Sequence, residues 1–88
     1  MSNIQHIPEL HRFQIDLEGL EAGHISYRII NYHEWEVDHT EVSPGFRNRG
    51  LAKQLVDHII SYAAERNIKL IASCDYAARF IEPAPNAW

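Results

Sequence analysis

The sequence predicts an α/β domain with a mixed sheet: three antiparallel strands, one long helix, a strand paired in parallel, and a short C-terminal helix. Three observations carry this. Residues 11–42 alternate apolar and polar side chains in three short runs separated by turn residues. Residues 50–66 change to apolar spacings of three and four. A short apolar run at 68–73 follows that helix, and a helix linking two strands of one sheet makes those strands parallel.

Residues 1–10 contain Pro8 and show no clear period, so they are expected to be a loosely held lead-in. In residues 11–18, Phe13, Ile15 and Leu17 face one way and Gln14, Asp16 and Glu18 the other, which makes a half-buried strand. Gly19 and Gly23 bracket a turn. Residues 24–31 alternate through Ile25, Tyr27 and Ile29, and residues 31–34 form the next turn. The third strand, 35–42, places Trp35, Val37 and His39 on one face, but Val42 falls out of phase. Either a β-bulge near Glu41 shifts the later side chains to the other face, or Val42 sits on an opposite, also covered face.

Ser43, Pro44 and Gly45 end that strand, because proline cannot continue the ladder. Leu51, Leu55, Val56, Ile59, Ile60 and Ala63 form the apolar stripe of the helix, and Asn67 suits its C-terminal cap. Residues 75–81 suit a short helix with Asp75 near its start, stopped by Pro83 and Pro85. Residues 83–88 are expected to be loosely ordered.

A length of 88 residues suits one domain over 1–88. With 45% hydrophobic and 23% charged residues, the composition is that of an ordinary globular chain rather than a disordered or coiled-coil one. No apolar run approaches the roughly 18 residues of a membrane span. No basic stretch followed by an apolar run suggests a secretory signal. A single cysteine fits a reducing compartment, so a cytoplasmic location is expected. The net charge is −4, with the acids concentrated in residues 1–46. An acidic chain disfavours nucleic-acid binding, which needs several phosphate-neutralising cations on one face. The cluster Arg47, Arg49 and Lys53 suits a compact anion, although ordinary surface charge would look the same.

The segment 42–53 joins a strand to the long helix. The first turn of a helix has backbone N–H groups without internal partners, and the helix dipole favours an anion there. Gly50 and the small Ala52 keep that end open, and Arg47, Arg49 and Lys53 add positive charge. The alternative is a glycine-started helix with solvated arginines. The histidines His6, His11, His24, His33 and His58 show no metal-site spacing and suit surface or turn positions.

Arg47-x-x-Gly50-x-Ala52 resembles the Arg/Gln-x-x-Gly-x-Gly/Ala signature of the GNAT acetyltransferase superfamily. The flanking elements His39-Thr40-Glu41-Val42 and Cys74-Asp75-Tyr76 resemble those of very small GNAT-like acetyltransferases. The resemblance covers roughly residues 11–82. It implies a minimal GNAT fold and an acetyl-CoA site. The backbone amides of Arg47, Asn48, Arg49, Gly50, Leu51 and Ala52, reaching Lys53, would bind the pyrophosphate. The strand Thr40 to Val42 would pair with the pantetheine arm and carry a bulge. The N-terminal helices that shape the acceptor site in larger members are missing, which leaves the acceptor amine undefined.

Two chemistries are then open. His39 could take the proton of Cys74, whose thiolate would attack the thioester and pass acetyl to an amine; a following helix N-terminus would favour that thiolate. Alternatively the amine attacks acetyl-CoA directly, with Glu41 or His39 as general base and Tyr76 protonating the departing thiolate. The acidic first half suits a cationic acceptor. The rival class is a non-catalytic CoA or acyl-CoA sensor, or an interaction module using an exposed sheet edge.

Overall fold

The structure, a computed structural model, describes residues 3–85. Residues 1, 2 and 86–88, which fall in the stretches expected to be loose, lie outside the described residues. Six strands form one mixed sheet in chain order: β1 (Asn3–Ile7), β2 (Arg12–Leu17), β3 (Leu20–Asn31), β4 (Glu34–Val42), β5 (Lys69–Ala72) and β6 (Glu82–Pro83). Neighbours are antiparallel through β4, then parallel. The helix α1 (Leu51–Glu65) makes the crossover from β4 to β5. This is the α/β arrangement the alternation and the period change point to.

Phe13, Ile15, Ile25, Tyr27, Trp35 and Val37 point to the face that α1 covers. Leu51, Leu55, Val56, Ile59 and Ala63 meet them, and Ile60 of the expected stripe is only half-buried. Each fully buried aliphatic or aromatic side chain here contributes about 1.5–3 kcal/mol of transfer free energy. Among the described residues α1 is the only α-helix, so the opposite face of the sheet stays polar and open. Asn67 ends α1 in the left-handed conformation (φ 57°), as its cap role requires.

Several elements differ from expectation. Residues 3–7 are not a loose lead-in but an edge strand paired with β2. His6 explains the difference. Its ring stacks on Phe13 (centroids 4.2 Å apart), and its Nε2 lies 2.6 Å from the Tyr27 hydroxyl. Tyr27 in turn stacks flat on Trp35 at 4.0 Å. His6 is therefore a packing residue, not a surface one, and alternation misses it because a histidine scores as polar.

Burial lowers the His6 pKa and raises that of Tyr27 to about 12, so it favours the neutral form of both groups, which share one hydrogen bond. The sign follows: the unfolded chain takes up a proton at His6 near pH 6.5, where the folded chain resists it. Stability is full above that pH and falls as the pH drops below it. The thermal midpoint of the native protein is expected to decline between pH 7 and pH 5 more steeply than that of a His6→Phe variant. Parallel declines in the two proteins would remove His6 from the account.

Gly19 and Gly23 do not bracket a turn. The reversal is Glu18 and Gly19 alone, both at positive φ, and Gly23 lies inside β3. The expected helix at 75–81 is a single 3-10 turn, Ala77–Arg79, and residues 82–83 instead add β6 beside β5. Ala84 is buried and its N–H bonds the Ala72 carbonyl at 2.8 Å, so residues 83–85 are held rather than loose.

The phase slip in the third strand is a true bulge, placed earlier than expected. Ser26 pairs with His39 and Tyr27 with Val37, which leaves Asp38 as the extra residue. Trp35 and Val37 point inward, His39 is turned to the open face, and Thr40 and Val42 come back to the helix side. His39 is thus on the face opposite Trp35 and Val37, not beside them.

Candidate functional site

The bulge also ends a pairing. Parallel β4–β5 register runs only from Glu34↔Lys69 to Val37↔Ala72. Beyond it the N–H groups of Ser73 and Cys74 both converge on the Val37 carbonyl, at 2.9 and 3.3 Å. β4 continues for five more residues, still paired with β3, while β5 stops. The two strands splay. The Ser43 N–H bonds the Ala22 carbonyl at 2.8 Å, which directs the odd-numbered backbone groups of this stretch toward β3. By alternation the amides of Thr40 and Val42 point into the gap on the β5 side. The Val42 carbonyl accepts from Arg47 Nε at 3.2 Å.

The gap opens into a cleft of about 260 Å³ lined by Val42, Phe46, Arg47, Gly50, Ala52 and Tyr76, with Asn48, Leu51 and Lys53 completing the wall. Its floor is the start of α1. The first intrahelical bond is from the Gln54 N–H to the Gly50 carbonyl (3.2 Å), so the amides of Leu51, Ala52 and Lys53 have no partner one turn back. No side chain caps them, and the first turn holds no acid. Gly50 sits at φ 73° and Asn48 at φ 67°, left-handed positions that curl the loop around the helix end. A Cβ at Gly50 would meet nothing within 4 Å, so the glycine is required by its backbone angle rather than by a near wall.

The expected cationic rim is present but engaged. Lys53 Nζ pairs with Asp57 at 2.8 Å, and Arg49 lies 3.7 Å from Glu18 and over the Phe46 ring.

Cys74 and His39 are not brought together. Cys74 Sγ lies 3.5 Å from Thr40 Oγ1, across the splay on the helix side of the sheet. His39 Nε2 is 3.1 Å from Glu41 Oε1 on the open face, and its ring is 5.8 Å from that of His24. The bulge is the reason, since it turns His39 away from the side where Thr40 meets Cys74. The hydrogen bond from His39, helped by the charges of His24 and Arg47, holds the Glu41 carboxyl below the ordinary carboxylate range. The helix dipole expected to favour a Cys74 thiolate is lost as well, because a three-residue 3-10 turn follows instead of a helix. Among the described residues no group of three or more His, Cys, Asp or Glu is placed to hold a metal ion.

On the open face, Glu36 accepts from Ser73 Oγ and from Arg28, each at 2.7 Å. It ties β3, β4 and β5 together just before the splay begins, and these bonds, Ser73 first, lower its pKa.

A sequence model of the GCN5-related N-acetyltransferases matches residues 12–88. The chain belongs to this family. Protein NATD1 of Xenopus tropicalis is 25% identical over 83 residues, covering 93% of this chain and 76% of the relative. The solution structure of a GCN5-like protein from Staphylococcus aureus superposes with a TM-score of 0.68 at 33% identity, covering 88% of this chain and 74% of that one. The fold is shared also with a GNAT acetyltransferase from Elizabethkingia anophelis, solved with acetyl-CoA bound. There the TM-score is 0.60 at 20% identity, over 67% of this chain and 39% of the larger one. This chain's six-stranded mixed sheet and single long helix are the family's fold, with a 3-10 turn at Pro8–Leu10 joining β1 to β2.

Sequence reasoning overlooked two residues here and one contact. Asp38 carries the bulge, Phe46 lines the cleft, and Thr40, expected along the pantetheine arm, is the residue that faces Cys74 in place of His39. For Phe46 a signal existed, an apolar side chain in a loop between glycine and arginine. For the other two, only the register shows them.

Proposed function

We propose that the protein binds acetyl-CoA in the splay and cleft and transfers its acetyl group to an amine. The observation that carries this is the continuity of two features. The inward-pointing amides of Thr40 and Val42 line a gap that leads directly to the uncapped first turn of α1. An extended amide-containing arm can add to the free side of β4 as a strand would, and a pyrophosphate suits the three free amides at the helix end. The residues present fit that ligand: the left-handed Asn48 and Gly50 curl the loop, and no acid stands in the first turn.

When bound, acetyl-CoA supplies an activated acyl group as a thioester. The chain's part is to hold and deprotonate. Thr40 and Val42 fix the arm through their backbones. Glu41 and His39 sit on the open face, where an amine can approach, and the ionised Glu41 accepts its proton directly or through His39. The amine nitrogen forms the new C–N bond as the C–S bond breaks, the departing thiolate takes a proton from solvent, and Tyr76 serves as a wall of the cleft that holds the cofactor. A cationic acceptor fits the exposed carboxylates of Asp38 and Glu41 on that face.

A second reading has one observation in its favour: Cys74 Sγ faces the gap beside Thr40. In that route Cys74 would carry the acetyl group as an intermediate. Direct transfer is favoured, because no imidazole stands beside the thiol. Cys74→Ser is therefore expected to keep amine acetylation within about threefold of the native rate, and mass spectrometry of the native protein with acetyl-CoA to show no acetylated Cys74. Loss of about a thousandfold, with an acetyl adduct on Cys74, establishes the covalent route instead. Saturable acetyl-CoA binding without transfer to any amine in a broad panel, lysine peptides and polyamines included, leaves the sensor reading.

A further inference from the structure

Resting on that reading, the geometry points to a further subsite: the paired rings of Tyr76 and Phe80, with the groove behind Phe80, hold the adenosine end of coenzyme A, and Arg79 reads its 3′-phosphate. The cleft at the start of α1 leaves the two ends of the ligand opposite exits. The pantetheine arm runs inward along β4, so the nucleotide leaves outward, past the residues on the other wall.

Tyr76 is that wall. Its ring centroid lies 5.5 Å from that of Phe80, a large apolar side chain that is 42% exposed at the surface. Phe80 also lines a second, largely apolar groove of about 280 Å³ with Ile60, Ala64 and Ile81, whose one acidic lining residue, Glu82, pairs with Lys69 at 3.7 Å. One ring pair thus bridges the phosphate cleft and an apolar recess, which is what a purine attached to a pyrophosphate requires.

Two cations flank the rings. Lys53 Nζ lies 5.1 Å above Phe80 and is neutralised by Asp57. The Arg79 guanidinium lies 5.8 Å from the Tyr76 ring centre. Among the described residues no carboxylate stands within ion-pairing distance of Arg79. An aromatic platform with one unneutralised guanidinium at its edge suits a base that carries a phosphate beside it.

Calorimetric titration with acetyl-CoA and with acetyl-dephospho-CoA, which lacks only the 3′-phosphate, tests this. The native protein is expected to bind acetyl-CoA about tenfold more tightly, as one charge-assisted contact implies. Arg79→Gln is expected to bring the two affinities within about twofold of each other. Phe80→Leu, which keeps apolar bulk but removes the ring, is expected to weaken both thioesters about fivefold or more. Unchanged thermal midpoints show that both variants fold.

Equal native affinities for the two thioesters, or a Phe80→Leu variant that binds both normally, overturns the subsite while leaving acetyl-CoA binding standing. Failure of the native protein to bind either thioester overturns both the subsite and the proposed function.

Discussion

Ala52→Glu is expected to leave the protein folded and to weaken acetyl-CoA binding by about a hundredfold or more. Ala52 is the second residue of α1, half-buried in the wall of the cleft. The first turn now holds no acid, and a carboxylate there complements the helix dipole, contributing roughly 0.3–1 kcal/mol to stability. The same carboxylate would face the pyrophosphate that the free amides of residues 51–53 are proposed to hold. Two like charges about 4 Å apart repel by about 4 kcal/mol at the effective dielectric of a protein surface.

The substitution therefore separates folding from binding. An acid at Gly50 would not, because Gly50 is at φ 73° and any other side chain strains the backbone there. Titration calorimetry with a parallel thermal melt reads both quantities. Native affinity in Ala52→Glu would show that the cofactor lies elsewhere.

The largest effect on stability is expected at Gly23. A Cβ there would lie 2.6 Å from the Glu41 carbonyl oxygen and 3.3 Å from Val42 Cα, both backbone atoms that cannot rotate away. Gly23→Ala must push β3 from β4 where β4 forms the edge of the splay. The expected loss is about 2–4 kcal/mol, out of roughly 5–13 kcal/mol for a chain of this length. The melting temperature should fall by about 10–25 °C. Gly19→Ala is the comparison: Gly19 is at φ 76° with nothing within 4 Å, so only the conformational penalty of about 1–2 kcal/mol applies. If Gly23→Ala melts no lower than Gly19→Ala, the close approach of the two backbones does not hold.

Gly23 also shows where local reading fails. Beside Gly19 it looked like part of a turn, yet it serves a contact with residues 41 and 42, which are distant in sequence. Edge strands were missed for a related reason. β1 is held by His6 against Phe13 and Tyr27, and β6 by a bond from Ala84 to Ala72, none of which leaves a periodic pattern.

What the sequence by itself determined is what a short period can encode. The alternation in 11–17 and 24–29 and the three-and-four spacing of 51–63 fixed three strands, one helix and a parallel crossover, because each side chain's face follows from local backbone geometry. The signature Arg47-x-x-Gly50-x-Ala52 marked the helix start, since free amides and a left-handed glycine are local properties too. The bulge was announced by Val42 but not located, because its position depends on which residue of β3 each residue of β4 pairs with. Register across strands decided that Asp38 is the extra residue, that His39 joins Glu41 on the open face, and that Thr40 meets Cys74. One residue of register inverts every later side chain, so the partners of His39, Thr40 and Cys74 were settled only when β3, β4 and β5 came together.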